Sequence, residues 1–156
     1  MGHKINAFLG CDSTINRLAK NWSRNSIQLS QGLSMLFLTD NLFEDIVRLS
    51  NLKDEVSVKH FESLTPAVFS LLETYSHNGK IAYFETDYFG GVGEQSAVLF
   101  ENGVQKFPIQ YTNDFGGQKN DEERAINFIL KELGVSKLEG QDEFDSIKLY
   151  SYRQMI

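Results

Sequence analysis

Between residues 81 and 111 the chain reads IAYFETDYFGGVGEQSAVLFENGVQKFPIQY, and this stretch limits the fold more than any other. Side chains of an extended strand alternate between two faces. Residues 81–88 therefore place Ile81, Tyr83, Glu85 and Asp87 on one side and Ala82, Phe84, Thr86 and Tyr88 on the other. Residues 97–101 read as a second strand. Asn102-Gly103 is the strongest short signal for a type I′ hairpin turn, here leading into a third strand over 104–111. Strands joined in this way form an antiparallel meander.

The segment GGVGEQ at 90–95 is either a ligand cradle or a turn. A dinucleotide fingerprint needs G-x-G-x-x-G to pass from a strand into a helix, whose N-terminus meets the pyrophosphate. Gly91 and Gly93 supply two positions, but the third falls on Ser96 and the strand-like SAVLF follows. No Gly-Lys-Ser/Thr is present for a phosphate loop. A nucleophile elbow would need glycine two places either side of Ser96, where Glu94 and Val98 stand. The glycines are read as a turn, because Gly takes positive φ without strain.

The rest of the chain alternates strands and helices. A strand over 5–9 precedes a helix that Asp12 and Ser13 can cap, with Ile15, Leu18, Ala19 and Trp22 at helical spacing and Arg17, Lys20 and Arg24 on its cationic face. SIQLSQGLSMLFLTD supplies one or two strands bent at Gly32. Asp40 or Asn41 caps a helix that turns Phe43, Ile46, Val47 and Leu49 inward. Val56 and Val58 suggest a short strand. Thr65-Pro66 opens a helix with Val68, Phe69, Leu72 and Tyr75 as its stripe, ended by Gly79. A helix over 122–133 carries a capping box in Asn120 and Glu123, buries Ile126, Ile129, Leu130 and Leu133, and stops at Gly134. SIKLYSYR reads as a closing strand. The expected fold is a single α+β domain over residues 1–156, with a mostly antiparallel sheet of about five or six strands and three or four helices mainly on one face.

Charge narrows the partners. Residues 1–80 hold eight acidic and eight basic side chains, and residues 81–156 hold thirteen acidic and seven basic, so the whole net charge of −6 lies in the second half. Clustered Lys and Arg, which binding to a phosphate backbone requires, are missing there, so nucleic acid is not an expected partner. A basic protein is. No apolar run approaches the 18 residues of a membrane span, and the first residues lack the pattern of a secretory signal. The single cysteine, Cys11, has no partner for a disulfide and suits a reducing cytoplasm. His3, His60 and His77 are scattered and form no metal-binding spacing, so no metal or cofactor is expected.

Carboxylates and aromatics carry the remaining signal. Glu85 and Asp87 share a strand face, with Glu94 just beyond the turn; such a set can serve acid–base chemistry, grip a cation, or mark a wet sheet end. Asp142, Glu143 and Asp145 form a second acidic cluster around Phe144, read as a solvated turn about a buried anchor. Tyr83, Tyr88, Phe89, Phe100, Phe107, Tyr111, Phe115, Tyr150 and Tyr152 concentrate in the acidic half. Those left outside the core would join the acids in a patch that grips Arg and Lys.

The stretch YFETDYFGGVGEQSAVLFENG, with INFILKELGV and DEFDSIKLYSYR, resembles a group of small bacterial proteins with a Y-F-G-G-x-G-x-Q-x-A hairpin, which are in turn similar to the immunity proteins that accompany contact-delivered toxins. The likeness covers roughly the second half. It implies a non-catalytic, acidic, cytoplasmic domain that binds and occludes a basic toxin domain. Glu85, Asp87, Tyr88, Glu94, Asp142, Glu143 and Asp145 are the candidate contacts. The alternative is a small enzyme or ligand-binding domain with its pocket at the 90–95 turn, Glu85 or Asp87 as base and Gln95 as polar anchor. Assembly through sheet edges is a third possibility.

Overall fold

The computed structural model describes residues 3–52, 56–115 and 123–152. Its centre is one antiparallel sheet of strands β1 (His3–Cys11), β2 (Ile27–Gln28), β3 (Leu33–Phe37), β4 (Ile81–Phe89), β5 (Val92–Glu101), β6 (Val104–Gln105) and β7 (Gln110–Asn113). They lie in the order β2-β3-β1-β4-β5, with β6 and β7 sharing the far side of β5. The expected third strand of the meander is thus two short ones. Pro108, which lacks an N–H for the ladder, stands in the interruption.

Among the described residues five α-helices accompany the sheet: α1 (Asp12–Asn21), α2 (Asp40–Ser50), α3 (Pro66–Tyr75), α4 (Ala125–Glu132) and α5 (Glu143–Ser146). The α+β class holds, and three helices share one face as expected. α1, α2 and α3 set Ile15, Leu18, Leu42, Ile46, Val68 and Leu72 against Phe8, Ile81, Tyr83, Val98 and Phe100. The opposite face is also closed. There α4, Val135, Ile147 and Leu149 cover Ile5, Ala7, Leu9, Ala82, Phe84, Ala97 and Leu99. Cover on both sides explains why IAYF and AVLF in the central strands are unbroken apolar runs. Each large side chain buried there contributes roughly 1.5–3 kcal/mol.

Local chemistry sets several boundaries differently from expectation. Cys11 takes the N-cap position of α1, while Asp12 accepts a 2.5 Å hydrogen bond from the Ser34 hydroxyl. Thr39, not Asp40 or Asn41, caps α2 through its hydroxyl oxygen, which accepts from Leu42 N at 3.2 Å. Leu49 faces solvent. Val56 and Val58 lie in a loop, not a strand. Asn120 lies outside the described residues, and α4 starts at Ala125, after Glu123.

The closing strand is absent over 146–152. Asp142 caps a single turn of helix by accepting from Asp145 N at 2.8 Å, Lys148 takes a left-handed conformation at φ 60°, and Leu149–Ser151 forms a 3₁₀ turn. The alternation of Ile147 and Leu149 that suggested a strand comes instead from two turns that each bury one apolar side chain.

Candidate functional site

The β4–β5 hairpin positions the candidate residues. Its tip is the two-residue turn Gly90-Gly91, at φ 61° and 80°, and a Cβ added to either glycine would meet nothing within 4 Å. Two positive φ values define the I′ geometry that matches strand twist. The glycines turn the chain, and they face open space.

Along the α1–α3 face, the register sorts side chains into rows. The apolar pairs Ile81/Phe100 and Tyr83/Val98 come first, deep in the core. Next is a polar row, Asn6–Glu85–Ser96–Tyr111, running across β1, β4, β5 and β7. Beyond it lies Lys4–Asp87–Glu94–Asn113. At the tip, Phe89 pairs with Val92. Asp114 N donates to Gly93 O at 2.7 Å just past the end of β7, and Phe115 N then turns back onto the Asn113 side-chain oxygen at 2.9 Å.

The polar row is occupied by the chain itself. The segment 57–63 crosses over it and is fastened at three points. Glu85 accepts from Glu62 N at 2.6 Å, from Ser63 N at 2.9 Å and from the Tyr83 hydroxyl at 2.7 Å. Ser96 donates to His60 O at 2.5 Å, and the His60 ring stacks on Tyr111 with centroids 3.8 Å apart. Burial pushes the Glu85 carboxyl above its ordinary range, against those three donors, which pull it down. Glu85 is only 8% exposed, so the expected outward contact is instead the anchor of an overlying strap.

Asp87 and Glu94 remain outside that strap and exposed. With Lys4, His60, Glu62 and Glu85 they line a cleft of about 290 Å³ between strap and sheet. Lys4 is held by Glu62 at 3.2 Å, and Glu94 accepts from the Tyr111 hydroxyl at 2.7 Å. Three exposed carboxylates thus share the cleft mouth with one lysine, and two of them, Asp87 and Glu94, sit directly opposite each other across the ladder. Like charges in such a pair repel and destabilise the sheet. A cationic group seated there would relieve the repulsion.

The other predicted contacts lie on the opposite face. Tyr88 is half-buried, donating to Asp114 at 2.6 Å and accepting from Gln95 at 3.2 Å, while Asp114 also takes Arg124 at 2.9 Å. Gln95, expected as a ligand anchor, accepts from Ile126 N at 2.8 Å, and Thr112 accepts from Ala125 N at 2.9 Å. The sheet thereby caps α4, whose own N-cap residue, Arg124, offers no capping side chain. Asp142 holds the first turn of α5 and accepts from Asn127 at 3.1 Å. Glu143 is buried and Phe144 half-buried against His3, with ring centroids 5.4 Å apart. Burial, then the Asp142 charge, raises the Asp145 carboxyl. Asp142, Glu143 and Asp145 therefore do not join Asp87 and Glu94 in one patch.

Glu62, His60 and Val92 complete the site without having been singled out as site residues. Glu62 and His60 arrive on a strap more than twenty residues away, which no local pattern encodes. Val92 was hidden inside the glycine turn, although its pairing with Phe89 follows from period two once β5 starts there. Among the described residues, no group of three or more His, Cys, Asp or Glu side chains is placed to hold a metal ion, and no helix is long and apolar enough to cross a membrane. Comparison with protein-family models, with curated proteins and with solved structures found no match to this chain.

Proposed function

We propose that this chain is a non-catalytic protein-binding domain that captures a basic partner, in the manner of an immunity protein occluding a delivered bacterial toxin in the cytoplasm. The observation that carries the reading is the exposed pair Asp87 and Glu94, set opposite each other at the mouth of the cleft between strap and sheet. A repulsive pair kept at an open cleft costs folding stability and is offset when a partner's arginine or lysine enters. Complementary charge of this kind speeds encounter and rejects acidic competitors. Occlusion is then steric, and the domain transforms nothing.

The rival, a small-ligand or catalytic site at the 90–95 turn, draws support from the cleft, whose volume stands near the lower end for small-molecule pockets. Against it weigh the engaged carboxylate of Glu85, the engagement of Gln95 with α4, and the open space around Gly90 and Gly91.

The test is co-expression with the product of each gene that flanks this chain's gene in its native host, a basic chain being the expected partner. Growth protection, a 1:1 complex by calorimetry and an affinity that falls steeply with salt are expected. Absence of both complex and protection would remove the proposal, and a metabolite retained through purification would favour the rival.

A further inference from the structure

Beyond Asp87 and Glu94 the hairpin tip is apolar at the Phe89–Val92 pair, and Phe115 follows Asp114, whose N–H bonds Gly93 behind that pair. Phe89 is 82% exposed, Val92 40% and Phe115 60%. Buried rings are the main source of interface energy, and a ring left in water at a hairpin tip stabilises nothing within this chain. The rim is also held in place. Tyr88 packs across Gly93, and the Tyr88–Asp114–Arg124 hydrogen bonds tie this pair, immediately behind the tip, to the start of α4. A rigid projection loses little freedom on docking.

Resting on the protein-binding reading above, we propose that the tip of the β4–β5 hairpin is the docking element, and that its partner presents an apolar hollow rimmed by arginine or lysine. Phe89, Val92 and Phe115 enter the hollow, while Asp87 and Glu94 meet the cationic rim. The charge pattern selects this occupant: the residues directly behind the apolar rim are acidic on both hairpin strands, so an acidic or uncharged rim would leave them buried without a counter-charge. Arginine suits the position further, since a guanidinium can stack on Phe89 while pairing with a carboxylate.

The experiment places p-benzoylphenylalanine at position 89, at 115 and, as a control, at the exposed Leu138, in the full chain expressed in its native host. Irradiation is expected to join one basic polypeptide to positions 89 and 115 and not to 138, with the crosslink lost in the D87K/E94K background. Titrated against that purified polypeptide, Phe89→Ser is expected to weaken binding by about 30-fold, as loss of a central anchor does. Its circular dichroism should stay that of the wild type, because Phe89 supports no core contact. A partner that binds the Phe89→Ser and Phe115→Ser variants with unchanged affinity, or that crosslinks equally at 138, overturns the docking proposal and leaves the protein-binding reading in place. A crosslink only to a second copy of this chain overturns it in favour of self-association. No crosslink at any position, together with no complex from co-expression, removes both.

Discussion

Tyr88 lies across Gly93, its partner in the β4–β5 ladder, and occupies the space that any side chain at 93 would need. A Cβ built on Gly93 would fall on the Asp87 carbonyl oxygen and come within 2.7 Å of Tyr88 Cα and 2.8 Å of its Cγ. A glycine covered by an aromatic ring in this way sets the register of a hairpin without a turn residue's φ. Gly93→Ala is therefore expected to cost about 3 kcal/mol, the upper range for overpacking, because a backbone oxygen cannot rotate aside. Gly91→Ala, where only the positive φ objects, should cost about 1–2 kcal/mol. Urea midpoints of the two variants check the order, and equal losses would refute the packing argument.

Gln95 and Thr112 do for α4 what an N-cap residue does elsewhere. Their side-chain oxygens accept from Ile126 N and Ala125 N, at the end of a helix whose flanking residue has no capping group. Replacing Gln95 by Leu leaves a buried N–H without an acceptor and frees the Tyr88 hydroxyl of one partner. A loss of about 1–2 kcal/mol is expected, with faster amide exchange concentrated in the first turn of α4.

Glu85 fastens the strap to the sheet with its charge largely out of water. Burial raises its folded-state pKa above the unfolded value of about 4.3. A group shifted in that direction contributes stability that is full below the unfolded value and is lost as pH rises through the raised one. Glu85→Gln does not titrate and points an amide N–H₂ at N–H donors, so it should be less stable than the wild type at every pH. The wild type's advantage over it should be larger at pH 4.5 than at pH 7.5. Paired urea titrations at the two values measure this, and the opposite slope would mean that the three donors outweigh burial.

Cys11 is exposed at the N-cap of α1, with its Sγ 3.1 Å from Thr14 Oγ1 and 3.4 Å from Ser13 Oγ. Partial burial alone would raise the thiol; the side-chain and backbone hydrogen bonds of Ser13 and Thr14 together outweigh it and hold the pKa below the ordinary value. Alkylation by iodoacetamide should show its midpoint at a lower pH than a cysteine peptide does, and Ser13→Ala should move it upward. The thiolate is the reacting species, so the rate profile reads the pKa directly.

The meander was legible because its signals are local: alternation over 81–88 and the Gly-Gly and Asn-Gly turns; of the helix starts, Thr65-Pro66 stands where it was expected. Three features were not, each for a non-local reason. The second helical layer shows only as the unbroken apolar runs IAYF and AVLF, which a buried strand and a helix segment share. The fate of Glu85 depends on a strap carrying Glu62 and Ser63, whose approach no alternation encodes. The helical turn at Glu143–Ser146 came from Asp142 acting as a cap, whereas the acidic run around it resembled a solvated loop. The site divided along the same line, since strand period placed Asp87 on the Glu85 face but left Glu94 just beyond the turn; its place opposite Asp87 follows only from β5 starting at Val92, and nothing local placed the 142–145 cluster on the other face.

The Asp87–Glu94 pair offers a sharper test of binding than of folding. Two carboxylates opposite each other across an antiparallel ladder repel, so an uncharged residue at either position should make the free domain slightly more stable. Asp87→Asn and Glu94→Gln are expected to raise the urea midpoint by a small amount, with no change in the slope m, and the gain should vanish in 1 M salt, where the Debye length falls to about 3 Å. If the pair serves a basic partner, the same substitutions must weaken that complex and slow its formation, so stability and affinity move in opposite directions. A residue that only supports the fold shows the reverse correlation, with both quantities falling together. Measuring midpoint and association rate for the two variants separates the cases, and a loss of stability without loss of binding would assign the pair to the sheet alone.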